Sequence, residues 1–192
     1  KGKIMGISIE EYKNILSSQN FKKNPYRQLQ GKVNRELGKT FEEQIEAICE
    51  VYELKKLAMI EKTPEPMKIL KHIENGHFET VFSKSAQPDF KGTIKGGRTV
   101  VFDAKFTGAD KIHFSVLSDF QRETLLKYQD LGAMSFVLVG FADGKIYNVN
   151  IKTWNNMKEI FGRQYIKQEE LENLNLRALT RKMGVMDFLN IL

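Results

Sequence analysis

Apolar positions along this chain recur at two spacings, and the change from one to the other marks its elements. Phe41, Ile45, Ile48 and Tyr52 follow at helical intervals behind Thr40-Phe41-Glu42-Glu43, which has capping-box spacing; together they predict an amphipathic helix from Thr40 to about Leu54. Ser8-Ile9-Glu10-Glu11 has the same spacing and predicts a shorter helix ending near Ser18, with a polar linker from there to about Arg35. Leu57-Ala58-Met59-Ile60 reads as a short strand ending at Thr63-Pro64-Glu65-Pro66, where two prolines break regular structure. Met67-Lys68-Ile69-Leu70 and Phe78-Glu79-Thr80-Val81-Phe82 read as strands joined across Asn75-Gly76. Ile94 and Thr99-Val100-Val101-Phe102 flank Lys95-Gly96-Gly97-Arg98, a hairpin turn signal. Residues 118–130 are helical in pattern, and Met134 to Phe141 is an uncharged apolar run, the expected central buried strand. Asp143-Gly144 turns it into an alternating neighbour, Ile146-Tyr147-Asn148-Val149. Thr153, Gln168 and Asp187 are expected to open short C-terminal helices. The order helix, strands, helix, strand, strand, helices predicts an α/β domain with a mixed sheet.

Composition narrows the class. The chain has 192 residues, 41% hydrophobic and 28% charged, with 4 Pro and 14 Gly, which fits one globular domain and excludes low-complexity or collagen-like readings. Its longest uncharged stretch, Leu131 to Ala142, is too short for a membrane helix, which needs roughly 20 residues. Lys1-Gly2-Lys3-Ile4-Met5 carries no signal-peptide apolar core, and a lone cysteine, Cys49, cannot form an intrachain disulfide, so a cytoplasmic location is expected. His72, His77 and His113 lack zinc-ligand spacing. Cys49 reads as a small buried hydrophobe, Trp154 as an anchor for the C-terminal helix, and His113 as a loop histidine.

Charge adds a partner class without fixing it. The net charge is +6, and residues 1–30 hold six basic side chains against two acidic. Lys22, Lys23 and Arg27 form a basic loop or arm around Asn24-Pro25-Tyr26. Segment 55–98 carries nine basic and five acidic residues, among them Lys62, Lys68, Lys71 and Lys84. On these residues alone, 67–86 is either an ordinary surface hairpin or a projecting ribbon that meets phosphate.

The candidate chemistry lies around the predicted hairpin. Residues two apart on a strand share a face, so Asp103 and Lys105 point the same way, with Val101, while Val100, Phe102 and Ala104 point oppositely. Where Asp89 points depends on the turn. A loop of Lys95-Gly96-Gly97 puts Asp89 opposite Asp103, and a loop of Gly96-Gly97-Arg98 puts it opposite Lys105. A two-residue Gly-Gly turn sends it to the other face unless a bulge intervenes. Two carboxylates and a lysine on one face can hold a hard divalent cation and a water near a phosphate, with the lysine orienting the water or offsetting developing charge. They can equally be a plain cross-strand salt bridge. Both readings stay open on these residues alone.

Order and spacing point to a family. Pro88-Asp89, thirteen residues, then Asp103-Ala104-Lys105 resembles the signature of the PD-(D/E)xK nuclease superfamily. From about Gly38 to Phe141 the chain is similar to the RecU-type Holliday junction resolvases. The similarity runs through Gly38-Lys39-Thr40-Phe41-Glu42, Lys62-Thr63-Pro64-Glu65-Pro66-Met67-Lys68-Ile69 and Gln87-Pro88-Asp89-Phe90-Lys91-Gly92. It continues through Phe102-Asp103-Ala104-Lys105 and Phe120-Gln121 to Ser135-Phe136-Val137-Leu138-Val139. The resemblance implies a restriction-endonuclease-like fold: a mixed central sheet flanked by helices, with a projecting stalk at 65–86. It implies a basic N-terminal helix and arm at 1–35 and a nuclease domain at 36–192.

The resemblance also assigns roles. Asp89, Asp103 and Gln121 fall at metal-site positions, Lys105 at that of the catalytic lysine, and Glu42 at that of a helix glutamate near the site. Gln87 stands where the family often has threonine, and Asp103 where it usually has glutamate, a carboxylate one methylene longer. The implied cofactor is Mg2+, with Mn2+ as a substitute. The implied activity is endonucleolytic resolution of four-way DNA junctions by paired nicks that leave 5′-phosphates. A homodimer is implied because one chain carries one site, and recombination proteins are the further partners. Two alternatives remain beside it: another nuclease of the superfamily acting on flaps or duplex DNA, and a non-catalytic DNA-binding protein of the same fold.

Overall fold

The computed structural model describes residues 3–4, 7–8, 25–64, 67–72, 78–82, 87–180 and 186–191. Its first long element is helix α1, Pro25–Leu54. Proline suits the first helical position, because its missing N–H would have no intrahelical partner there and its φ is already helical. From Pro25 on, the linker expected up to Arg35 is therefore helix, and the Thr40 box lies inside α1 rather than at its start. Tyr26, Leu29, Val33 and Leu37 continue the apolar spacing upstream of Phe41 and carry the helix through Gly31 and Gly38. The helix ends without glycine. Lys56 takes the left-handed conformation (φ 54°), while Leu57 N–H reaches Tyr52 O and Lys56 N–H reaches Glu53 O, the paired bonds of a Schellman stop. The helix expected over Ser8–Ser18 falls mostly outside the described residues. Ile7–Ser8 itself pairs antiparallel with Lys3–Ile4.

Strands β1 (Ala58–Lys62), β4 (Phe90–Ile94), β5 (Thr99–Thr107), β7 (Met134–Phe141) and β8 (Ile146–Asn150) form one mixed sheet in the order β8-β7-β5-β4-β1. Only β5 and β7 run parallel; the other neighbours are antiparallel. β2 (Met67–His72) and β3 (Phe78–Phe82) make a separate antiparallel ribbon with a bulge between Ile69 and Lys71; the expected turn at Asn75-Gly76 lies outside the described residues. A second small ribbon pairs β6 (Lys111–His113) with β9 (Tyr165–Lys167), so His113 is on a strand and not in a loop.

The sheet is covered on both faces. On one, Phe41, Ile45, Ile48 and Tyr52 of α1 pack against Phe90, Phe102, Ala104, Phe136 and Leu138. On the other, Val101, Val137 and Val139 pack against Leu125 of α2 (Asp119–Asp130), Trp154 of α3 (Ile151–Asn155), Ile112 and Ile166. Helices α4 (Met157–Phe161) and α5 (Gln168–Asn173) complete that layer. Asn150 caps α3, so Thr153 sits inside the helix rather than opening it, whereas Gln168 does open α5. Cys49 and Trp154 are buried as expected, and burial pushes the Cys49 thiol up to about 12.

An aromatic ladder fixes register where it matters. Phe90, Phe102 and Phe136 sit side by side on β4, β5 and β7, their rings stacked at 4.9 and 4.8 Å between centroids. A one-residue slip of any strand would turn its phenylalanine out of the core and its neighbour's side chain in. Gly92 is required for a different reason: a Cβ there would come 2.1 Å from the Met59 carbonyl oxygen on β1.

The chain's last described segment closes this face. Asp187 does not open a helix. Its Oδ1 accepts from the Tyr52 hydroxyl at 2.9 Å and from Ile191 N–H at 3.1 Å, which ties a turn to α1. The same hydroxyl accepts from Leu189 N–H at 3.1 Å. Tyr52→Phe strands that buried N–H and should cost about 1–2 kcal/mol. At roughly 2–4 °C per kcal/mol for a chain of this size, thermal melting should register a loss of several degrees.

Candidate active site

The hairpin turn decides the site. Gly97 N–H bonds Ile94 O and Ile94 N–H bonds Arg98 O, so the loop is Lys95-Gly96-Gly97, with both glycines at positive φ (98° and 89°). Phe90 pairs with Phe102, so the register carries Asp89 opposite Asp103. The ladder ends there, and the Asp89 side chain extends it: its Oδ2 accepts from Ala104 N–H at 2.9 Å. On the neighbouring side, Asp89 O accepts from Thr63 N–H at 2.8 Å. The carboxylate is thus anchored by backbone where β4 leaves β5.

Lys105 lies between the two acids. Its Nζ is 3.6 Å from Asp89 Oδ2 and 3.4 Å from Asp103 Oδ1. Gln121, from the first turn of α2, donates Nε2–H to Asp103 Oδ1 at 2.7 Å. That amide is held from its other end. Gln121 Oε1 accepts from both the N–H and the hydroxyl of Ser118, while Gln121 N–H returns to Ser118 Oγ, a reciprocal helix cap. Capping α2 and orienting the Asp103 carboxylate are therefore one arrangement.

Asp103 itself has no exposed surface, and its second oxygen, Oδ2, is buried with no hydrogen-bond partner. Burial drives its carboxyl from the ordinary 3.8 up to about 7; Lys105 opposes the shift and Asp89 adds to it. A buried carboxylate oxygen without a partner, beside a second acid, is a place where a cation would be stabilised. The donor set fits a hard divalent ion: carboxylate oxygens of Asp89 and Asp103, with remaining positions left to water or phosphate. Among the described residues no group of three or more His, Cys, Asp or Glu comes together, so any third protein donor has to be an amide or a carbonyl.

Glu42 is bound to Lys62, Nζ to Oε2 at 2.9 Å, and Glu46 takes the same ammonium at 2.8 Å. Lys62 shares the α1-facing side of β1 with Ala58 and Ile60, across the sheet from Asp103. Two glutamates hold its pKa above the usual lysine range. Gln87 is exposed, and its Oε1 accepts from Lys91 Nζ at 2.6 Å. Lys71 is exposed on β2, Lys68 is on the same strand, and Arg27 is on α1. Lys22, Lys23 and Lys84 lie outside the described residues.

A family model described as Recombination protein U (RecU) matches residues 36–192. Among solved structures the chain is similar to the 1.6 Å structure of Archaeoglobus fulgidus Hjc, a Holliday junction resolvase from an archaeal hyperthermophile. The identity is 15%, covering 71% of this chain and 93% of that one, with a TM-score of 0.45. None of the curated proteins matches.

Proposed function

This chain belongs to the RecU family, and on that premise we propose that it is a divalent-metal-dependent endonuclease that resolves four-way DNA junctions. The observation that carries the reading is the convergence of Asp89, Asp103, Lys105 and Gln121, with one oxygen of the buried Asp103 lacking any partner. Asp89 and Asp103 would hold Mg2+ or Mn2+. Such an ion neutralises phosphate charge and makes hydroxide available near neutral pH.

The chain's own groups do the rest. Ala104 N–H fixes Asp89 at the end of the ladder, and Gln121 holds one oxygen of Asp103, which leaves the other, without a protein partner, as the one that would hold an ion. Lys105, free to leave one carboxylate once a cation screens it, offers an ammonium to the attacking water or to the charge growing on phosphorus. Cutting both strands symmetrically takes two such sites, and a C2 homodimer supplies them. Phosphate contacts place a protein on DNA without reading bases, so the shape of the junction governs selection.

The test is a Mg2+ and Mn2+ titration of a labelled four-way junction beside duplex and flap substrates. Two symmetric nicks in the junction, with little cutting of the controls, are expected. Equal cutting of duplex or flap would make the chain a different nuclease of this fold. Junction binding with no cutting in either ion would make it a binding protein.

A further inference from the structure

The β6–β9 ribbon buries one face and turns the other outward. Ile112 and Ile166 pair across it and are buried in the core on the Asp103 side of the sheet. Alternation then puts Lys111, His113, Tyr165 and Lys167 on the outward face, with Lys111 directly opposite Lys167 and His113 directly opposite Tyr165. Like charges directly opposite each other destabilise an antiparallel pair. Among the described residues neither ammonium is ion-paired; Lys111 Nζ instead sits over the Tyr165 ring, 4.9 Å from its centroid. Arg163 stacks on the same ring at 4.7 Å, while its Nη2 holds Glu170. Glu170 also acts electrostatically on Lys167 from its own side, and the exposed Asp110 and Glu169 adjoin the ribbon in sequence.

The ribbon continues directly from the candidate site. β5 carries Asp103 and Lys105 and runs through residues 108–110 into β6. Beyond His113, Phe114 lies under the Arg122 guanidinium at 4.8 Å, and Arg122 follows Gln121, whose amide touches Asp103. Arg122 is itself paired to Asp119 at 2.8 Å and mostly buried, so the basic groups turned outward beyond the carboxylates are those of the ribbon.

We propose that the Lys111–Lys167 face of this ribbon binds the sugar–phosphate backbone of the DNA arm that carries the phosphate to be cut. The proposal rests on the nuclease reading above and extends it to a second contact. A phosphate between the two ammonium groups offsets their repulsion, which Glu170 relieves from the Lys167 side only. The contact reads no bases, so it should hold any sequence equally.

The test uses the full chain and a labelled four-way junction, with cleavage suppressed by a chelator, across salt concentrations. Each lost lysine–phosphate contact lowers the log–log salt slope by roughly 0.9, so Lys111→Gln with Lys167→Gln should shrink it by about 2 and weaken binding roughly tenfold. The Arg pair at the same positions should keep the parental slope. Lys152→Gln with Lys158→Gln makes the same charge change at exposed sites on α3 and α4 and should leave the slope unchanged. Melting temperature should hold or rise in the double Gln variant, because a like-charge pair is gone. A parental slope in that folded variant would overturn the proposal, as would an equal loss in the Lys152/Lys158 control. A parental chain that treats junction and duplex alike and cuts neither would defeat the nuclease reading instead, whatever the ribbon does.

Discussion

Changing Asp103 to Asn is expected to lower junction cleavage by at least about a thousandfold while the protein stays folded and still binds the junction. Asn keeps the size of the side chain and can still face Gln121, but it removes the negative charge that draws a cation to the buried oxygen. Cation affinity should fall with activity. Binding should persist or tighten, since one carboxylate no longer repels phosphate. Lys105→Ala should also stop cleavage, but by another route. Cation affinity should be largely kept, because the lysine bridges the two acids without holding the ion. A mere salt bridge predicts something different: both variants would melt earlier by similar amounts and lose activity only through unfolding. Cleavage, cation titration and melting measured on the two variants separate these outcomes, and parental cutting by either folded variant would remove the site from consideration.

The second large effect is on stability, and its sign follows from burial. In the unfolded chain Asp103 titrates near 3.8, and in the folded protein near 7. Between those values the folded state keeps a proton that the unfolded state has released, so this group's contribution to stability falls as pH rises through the window. Below about pH 4 and above about pH 7 it is flat. The full penalty is on the order of 4 kcal/mol at about 1.4 kcal/mol per pH unit. Asp103→Asn escapes it. In chelator, the melting advantage of the variant over the parent should grow by about 5–10 °C between pH 5 and pH 8. Titrating groups away from the site are common to both proteins and cancel in the difference; Asp89 and Lys105, which act on Asp103 directly, are coupled to it. Adding Mg2+ or Mn2+ at pH 8 should close the gap from the parental side, because a ligand of the folded state alone stabilises it. A gap that ignores pH would mean that Asp103 is already ionised in the folded protein.

What could be read in the sequence follows from which forces act locally. Alternation placed Asp103 and Lys105 on one face, and the glycines of the hairpin loop narrowed where Asp89 could lie, because only an odd-length loop brings it to that face without a bulge. The β7 run and the Ser118 start of α2 were legible for the same reason. The first half of α1 was not. A strong local cap at Thr40 competed with the apolar spacing of Tyr26, Leu29, Val33 and Leu37, and the longer pattern won. The end of α1 near Leu54 was legible from the apolar spacing, although its stop at Lys56 uses lysine where glycine is usual. The double duty of Gln121 and the turn held by Asp187 depend on partners far along the chain, Asp103 and Tyr52, which no local pattern announces. The β6–β9 ribbon joins segments some fifty residues apart and was invisible for that reason.

The closure of the core by its final residues bears on when the protein becomes competent. Phe188 packs against Tyr52, Phe102 and Phe136, beside Leu189, whose N–H is held by the Tyr52 hydroxyl. The β4–β5 hairpin can pair as soon as it leaves the ribosome, because its contacts are close in sequence. Its parallel partner β7 and this closing segment are made later, and non-local pairing is slow to form. A nascent chain thus holds Asp89 and Asp103 well before the aromatic ladder that fixes their register is sealed. A chain that stops before Phe188 lacks the contacts that seal this face of the core.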